Sequence, residues 1–322
     1  MKRLTDKQLV LFPVVEREIF YEEEKVMEHG LFGPMKTEVL RKPIPRFRAV
    51  VDVERDRVFS VVTENYVLVS NEKALALGEE CFKVLFHAAD IADMQVYNIV
   101  MPSTRSFCHV DLIHQKYRVD VWEQDTWLPY IRVTNSYNRT KPLTFDLGFV
   151  RSACSNGVIF EQQTVTIRCY HSDLNPFLEK GFVSKLGDLR ELEASFIENM
   201  HNLKRFYVPR NVVFPLVCHA FGLPSPLRPD RTAGQEKFLA DFAGAVAKLR
   251  DKYFAELGDN AYAAFNVLTD LATRPDVFPS EESVVHSFQK KSGAWIREFT
   301  TAIEQRSFSF ESYLGPYAKL IA

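Results

Sequence analysis

Arg132, Arg139, Lys141, Arg151 and Arg168 are spread through residues 131–172, together with Asn135 and Asn156. The runs Ile131-Arg132-Val133-Thr134 and Thr164-Val165-Thr166-Ile167-Arg168 alternate with the period of strands that bury one face. Cations and amides distributed this way make a polar, basic face able to grip an anion. A second basic run, Arg41-Lys42-Pro43-Ile44-Pro45-Arg46-Phe47-Arg48, is stiffened by its prolines, so Arg46 and Arg48 ride on a semi-rigid arm that can clamp a phosphate backbone. Plainer readings stand beside these. Charged strands also protect sheet edges, Asn favours turns, and Arg151 can pair with Asp146 across the turn between them.

Catalytic chemistry has no comparable signal. The chain contains no Gly-x-x-x-x-Gly-Lys, Gly-x-Gly-x-x-Gly, Gly-x-Ser-x-Gly or His-Glu-x-x-His, which removes the familiar nucleotide, esterase and zincin patterns. Pro229-Asp230 followed by Gln235-Glu236-Lys237 approaches a metal-dependent nuclease pattern, but Gln235 stands where a strand carboxylate is needed. Cys108-His109, Cys169-Tyr170-His171 and Cys218-His219, with His114, are scattered soft-ligand pairs. Adjacent strand residues point to opposite faces, so only Cys169 and His171 share one. Buried inert cysteines and surface histidines are the expected reading. No catalytic residue, metal or cofactor is expected.

The formal net charge of −2 gives no overall field to attract nucleic acid, so any basic site must be local. The five cysteines include no Cys-x-x-Cys pair and fit a reducing compartment. Leu9–Val15 is too short and too Pro-interrupted for a leader or a membrane span, and the chain reads as cytoplasmic, with the Asn138-Arg139-Thr140 sequon unmodified. Phenylalanine is abundant, 26 residues, and its expected place is the core.

The elements that must position these residues read as α+β, an antiparallel sheet first and helices last. Three regions are expected: a 1–45 extension, a 46–172 β-rich core with one helix, and a helical 173–322. Lys7–Phe12 reads as an amphipathic turn, Val14–Tyr21 as extended, and Glu22-Glu23-Glu24-Lys25 as a solvated helix face or loop. Leu31-Phe32-Gly33-Pro34 is a breaker. Ala49–Val53 and Val58–Thr63 predict a hairpin, Tyr66–Ser70 a third strand, and Asn71 the N-cap of a helix. Met94–Met101, Arg105–Ile113, Tyr117–Val121 and Trp127–Ser136 predict strands joined too briefly for parallel crossovers. Asn156-Gly157 signals a tight turn. Apolar stripes predict helices capped by Asp188, ended by Gly258, stopped before Pro275 and opened by Ser280, with Leu223–Pro229 as a loop.

Thr134-Asn135-Ser136-Tyr137, Gly148-Phe149-Val150-Arg151 and Cys154-Ser155-Asn156-Gly157-Val158 resemble the central motif of the phage/plasmid-like protein family, and Asn65–Glu72 resembles its upstream strand-to-helix signature. That family is a bacterial domain carried by prophages, plasmids and other mobile elements, without an agreed activity. Its strand order is distantly similar to that of phage single-strand annealing recombinases. The resemblance spans roughly Arg46 to His171. Joined to the basic residues, it implies a non-enzymatic nucleic-acid-binding protein of a mobile element, with single-strand DNA binding or annealing in recombination as one form of that role, that assembles as a homo-oligomer and has no membrane partner. The expected contact residues are Arg46, Arg48, Arg132, Asn135, Arg139, Lys141, Arg151 and Asn156. The alternatives are a protein–protein interaction module using the Phe-rich helices without nucleic acid, and an unrecognised metal-dependent hydrolase.

Overall fold

The computed structural model describes residues 5–27, 36–85, 91–123, 125–152, 157–159, 166–169, 171, 189–224, 230–273 and 282–321. Its fold is α+β, with a three-stranded antiparallel sheet, a seven-stranded antiparallel sheet and a helical carboxy-terminal region. Among the described residues, no helix is long and apolar enough to cross a membrane. The Leu31–Pro34 breaker and the Asn156-Gly157 and Asp188 signals fall wholly or partly outside the described residues.

β1 (Val14–Met27) pairs with β2 (Lys36–Asp52), which pairs with β3 (Arg57–Thr63). The expected hairpin forms at β2–β3, and Asp52 closes its turn by accepting from the Glu54 and Arg55 amides at 3.1 and 3.3 Å. β3 reaches only Phe47–Asp52 of β2, so Phe20–Met27 and Lys36–Pro43 continue as a two-stranded ribbon. The Glu22–Lys25 run therefore lies in a strand rather than a helix or loop. Its charge is tolerated there because Glu22 faces Arg41 across the ladder and Lys42 forms an ion pair with Glu23. Between Glu18 and Phe20 the partner register jumps from Arg48 to Pro43. Prolines cannot donate to a ladder, and Arg46 adopts a left-handed φ of 67° at this irregularity.

The larger sheet has the order β10-β8-β7-β5-β4, with β6 on β7 and β9 on β8. Its strands are β4 (Met94–Val100), β5 (Phe107–His114), β6 (Val119–Trp122), β7 (Asp125–Ser136), β8 (Leu143–Arg151), β9 (Gly157–Ile159) and β10 (Thr166–Cys169). On one face Trp127, Ile131, Val133, Leu112, Leu147 and Phe149 enter the main core. α1 (Asn71–Leu85) packs there so closely that a Cβ on Gly78 would sit 2.4 Å from Val133 Cγ2.

Tyr66–Ser70 is not a strand; it is an irregular approach to α1. Nor is Asn71 the cap. The Ser70 hydroxyl accepts from the Lys73 amide at 3.2 Å, in the N-cap geometry. Asn71 is buried and reaches elsewhere, donating to the Val10 carbonyl at 2.9 Å while its own amide donates to the Tyr137 hydroxyl at 2.8 Å. Tyr137 in turn stacks on Phe59 with centroids 5.4 Å apart, tying the smaller sheet to the larger.

Among the described residues, six further helices follow: α2 (Leu189–Arg205), α3 (Val213–Phe221), α4 (Ala233–Leu257), α5 (Ala261–Thr273), α6 (Glu282–Ile303) and α7 (Phe310–Leu314). α4 opens on a capping box between Thr232 and Gln235, so Gln235 and Glu236 lie in the first turn of a helix rather than on a nuclease-like strand. α5 is buried from Ala261 to Ala272. Phe149 of the sheet stacks on Phe196 of α2 at 4.2 Å, and Trp127 stacks on Phe265 of α5 at 6.0 Å. Sheet and helices thus share one core, which is where much of the phenylalanine lies.

Candidate functional site

The opposite face of the large sheet carries the polar alternation. Strand register sets Arg132 of β7 between Asp111 of β5 and Asp146 of β8. This face is covered, and Arg132 is only 2% exposed. Its guanidinium grips Asp111 at 2.6 and 2.8 Å and donates to Gln289 of α6 at 2.5 Å. It also lies 3.3 Å from Nδ1 of His286; since guanidinium only donates, that nitrogen accepts. Lys290 of α6 meets Asp146 at 3.3 Å. The His109 ring stacks on His286 at 4.8 Å, and its Nδ1 lies 2.7 Å from the Thr134 hydroxyl. Burial, reinforced by the Arg132 charge, holds both histidines well below their ordinary pKa. The layer is a buried, largely compensated charge network that fastens α6 to the sheet.

Three more of the expected contact residues have internal partners. Arg151 is buried and pairs with Asp125, not Asp146, at 2.9 and 3.1 Å, and with Glu256 of α4 at 3.0 Å. The Tyr262 hydroxyl donates to the same Asp125 at 2.8 Å and accepts from Trp127 Nε1 at 3.2 Å, so this group clamps β7, β8, α4 and α5 together. Asn135 is fully buried, donating to the Val69 carbonyl and to Asn71 Oδ1, each at 2.9 Å. Arg48 is half-buried, faces Glu18 across the ladder and donates to the Phe47 carbonyl at 3.1 Å. The single basic face expected from strand alternation is therefore not an exposed surface. Arg132, Asn135 and Arg151 are used inside the fold, because helices that alternation does not reveal lie against them. Arg46 is exposed on the ribbon bend, and Asn156 lies outside the described residues.

Two expected contact residues remain, Arg139 and Lys141. Both lie in the turn from β7 to β8, where Asn138 Oδ1 accepts from Ser136 Oγ at 2.9 Å and from Thr140 Oγ1 at 2.6 Å. Arg139 takes a left-handed φ of 63°, is exposed, and places its guanidinium 3.4 Å from the Val61 carbonyl oxygen. The Lys141 ammonium lies 5.0 Å from the Phe107 ring centre. With Thr140 and Pro142 they wall a cleft of about 310 Å³ whose other lining comes from Val62 and Thr63 of β3, from Tyr66 and from His171.

The floor of this cleft is built by two residues that sequence reasoning did not select. Tyr66 and His171 stack with centroids 4.9 Å apart and planes 13° from parallel. His171 is 7% exposed, not a surface residue, and exchanges two contacts with Val67: the Val67 amide donates to its carbonyl, and its Nδ1 lies 2.9 Å from the Val67 carbonyl oxygen. A carbonyl only accepts, so Nδ1 carries the hydrogen and Nε2 presents a lone pair. Burial lowers the His171 pKa and pushes the Tyr66 phenol up to about 12, so the neutral forms prevail near neutral pH. Among the described residues, neither Tyr66 Oη nor His171 Nε2 has a hydrogen-bond partner, although both atoms are buried. The sequence hint at this site is the soft-ligand spacing of Cys169 and His171. Among the described residues, no group of three His, Cys, Asp or Glu is placed to hold a metal ion.

A family model described as a domain of unknown function (DUF932) matches residues 58–292, most of the chain. No curated protein and no solved structure matches.

Proposed function

The chain belongs to the DUF932 family, and from that premise we propose that it binds nucleic acid, preferentially a single strand, at the cleft between its two sheets, without cutting it. The observation that carries the proposal is the pair Arg139 and Lys141, set on one turn at the rim of a cleft of about 310 Å³, while Arg132 and Arg151 are held inside by carboxylates. A backbone phosphate suits guanidinium and ammonium groups presented together. Arg46 lies on the exposed bend of the same small sheet as Val62 and Thr63, where its carbonyl accepts from the Glu64 amide at 3.1 Å. The resemblance to the phage/plasmid-like family, and through it to annealing recombinases, supports a mobile-element role with self-association. Fluorescence anisotropy with labelled single- and double-stranded DNA and RNA at low salt tests the reading. Binding that weakens when Arg139 and Lys141 are replaced supports it, and no binding to any of the four overturns it.

One observation favours a second reading, a module that docks another protein. The ribbon exposes Phe20, Tyr21 and Val39, at 38%, 47% and 54%, and its basic charges are met by acidic neighbours on β1. Light scattering across micromolar concentrations, with Phe20→Ser and Val39→Ser beside the parent chain, separates self-association from a monomer.

A further inference from the structure

Resting on the strand-binding reading, we infer that the cleft is a pocket for one nucleotide unit, with the phosphate on Arg139 and Lys141 and a sugar hydroxyl or base N–H donated to Nε2 of His171 beside the Tyr66 hydroxyl.

Tyr66 and His171 line the cleft side by side, their rings stacked at 4.9 Å. Buried polar atoms almost always have a partner, because leaving one unmade costs the full desolvation of the group. Tyr66 Oη and His171 Nε2 are both buried and, among the described residues, both without one, and the two residues line the same cleft. Their chemistry is complementary rather than duplicate. His171 spends its only hydrogen on the Val67 carbonyl at 2.9 Å, which leaves Nε2 as an acceptor. Burial keeps that nitrogen unprotonated near neutral pH, and the phenol, with a pKa of about 12, keeps its hydrogen and can donate. A group that both donates and accepts satisfies the pair, and sugar hydroxyls and base edges are such groups.

The rim supplies the other half of the pattern. Arg139 and Lys141 are donors without acceptor capacity, suited to an anion and not to a sugar or base. A ligand that presents an anion outward and a donor–acceptor group inward is a nucleotide. The cleft volume of about 310 Å³ admits one such unit and not several. Inorganic phosphate would satisfy the rim and leave the floor unmet.

Isothermal titration of the whole protein with inorganic phosphate, with ribo- and deoxyribonucleoside 5′-monophosphates, and with a single-stranded oligonucleotide tests this. The nucleotides should bind about a hundredfold tighter than inorganic phosphate, the worth of two net hydrogen bonds. Tyr66→Phe, which deletes only the unpartnered hydroxyl, and His171→Asn, which keeps an N–H near the Nδ1 position, should each cost the nucleotides about tenfold and leave inorganic phosphate unchanged. Arg139→Ala should weaken every ligand. Thermal melting identifies a variant that fails to fold, and the other then carries the test. Nucleotides no tighter than phosphate, or folded Tyr66→Phe and His171→Asn variants with parental affinity, overturn the pocket. Should the oligonucleotide still bind through Arg139 and Lys141 in that case, strand binding stands and the pocket alone falls. Tight nucleotide binding without oligonucleotide binding would keep the pocket, as a site for free nucleotides, and remove the strand-binding reading.

Discussion

Arg132 and Asp111 face each other across β7 and β5, joined by two hydrogen bonds of 2.6 and 2.8 Å in a layer closed by α6. A buried ion pair contributes little over an apolar pair of the same shape, but removing one partner strands a charge without solvent. Asp111→Ala should therefore destabilise the fold by about 3–5 kcal/mol. Urea unfolding followed by circular dichroism measures it, and a loss below about 1 kcal/mol, the scale of an exposed pair, would contradict the buried network.

The stacked histidines above that pair make stability depend on pH. His109 and His286 are held below their ordinary value of 6.5, so in mild acid the unfolded chain takes up protons that the folded one refuses. Their contribution is complete above that ordinary value and is lost as the pH falls below it. Each should steepen the decline by up to about 1.4 kcal/mol per pH unit. His286→Asn should flatten the profile between about pH 6.5 and 5 relative to the parent chain. Parallel profiles would show that His286 is not held neutral.

Gly78 lets α1 approach β7. A methyl group there would meet Val133 Cγ2 at 2.4 Å and Leu112 Cδ1 at 3.2 Å. Gly78→Ala should cost about 1–3 kcal/mol through overpacking, despite the better helix propensity of alanine. An unchanged or raised denaturation midpoint would mean that α1 does not sit this close.

Much of this arrangement was legible in the chain, and the exceptions share a cause. Alternation correctly marked β4 to β7, and 3.6-residue stripes marked α2, α4, α5 and α6, because both patterns record burial of one face. Alternation does not record what covers the other face. Arg132 read as part of a binding surface because Gln289 and His286, which meet it, come more than 150 positions later. Arg151 was linked to Asp146 by proximity in sequence, whereas the fold brings Asp125 and Glu256 to it. Ser70 and Asn71 are both good caps locally, and only the tertiary bonds of Asn71 to Val10 and Asn135 decide between them. No local pattern joins Tyr66 to His171, since their meeting depends on the tertiary fold.

The cleft makes a claim about cations that one titration can test. With about four phosphate contacts on a single strand, log affinity against log salt should have a slope of roughly −3, at about 0.7 per phosphate. Replacing Arg139 and Lys141 together by Ala should flatten it by about 1 to 1.5 without altering sequence preference. Both residues lie in a turn at the cleft rim, so the melting temperature should hold and loss of fold will not mimic the result. The decisive measurement is anisotropy of a labelled single strand over a salt series, for the parent and the double variant side by side. The account predicts a steep slope that the substitutions flatten. Equal slopes for both proteins, or no binding by the parent at low salt, would contradict it.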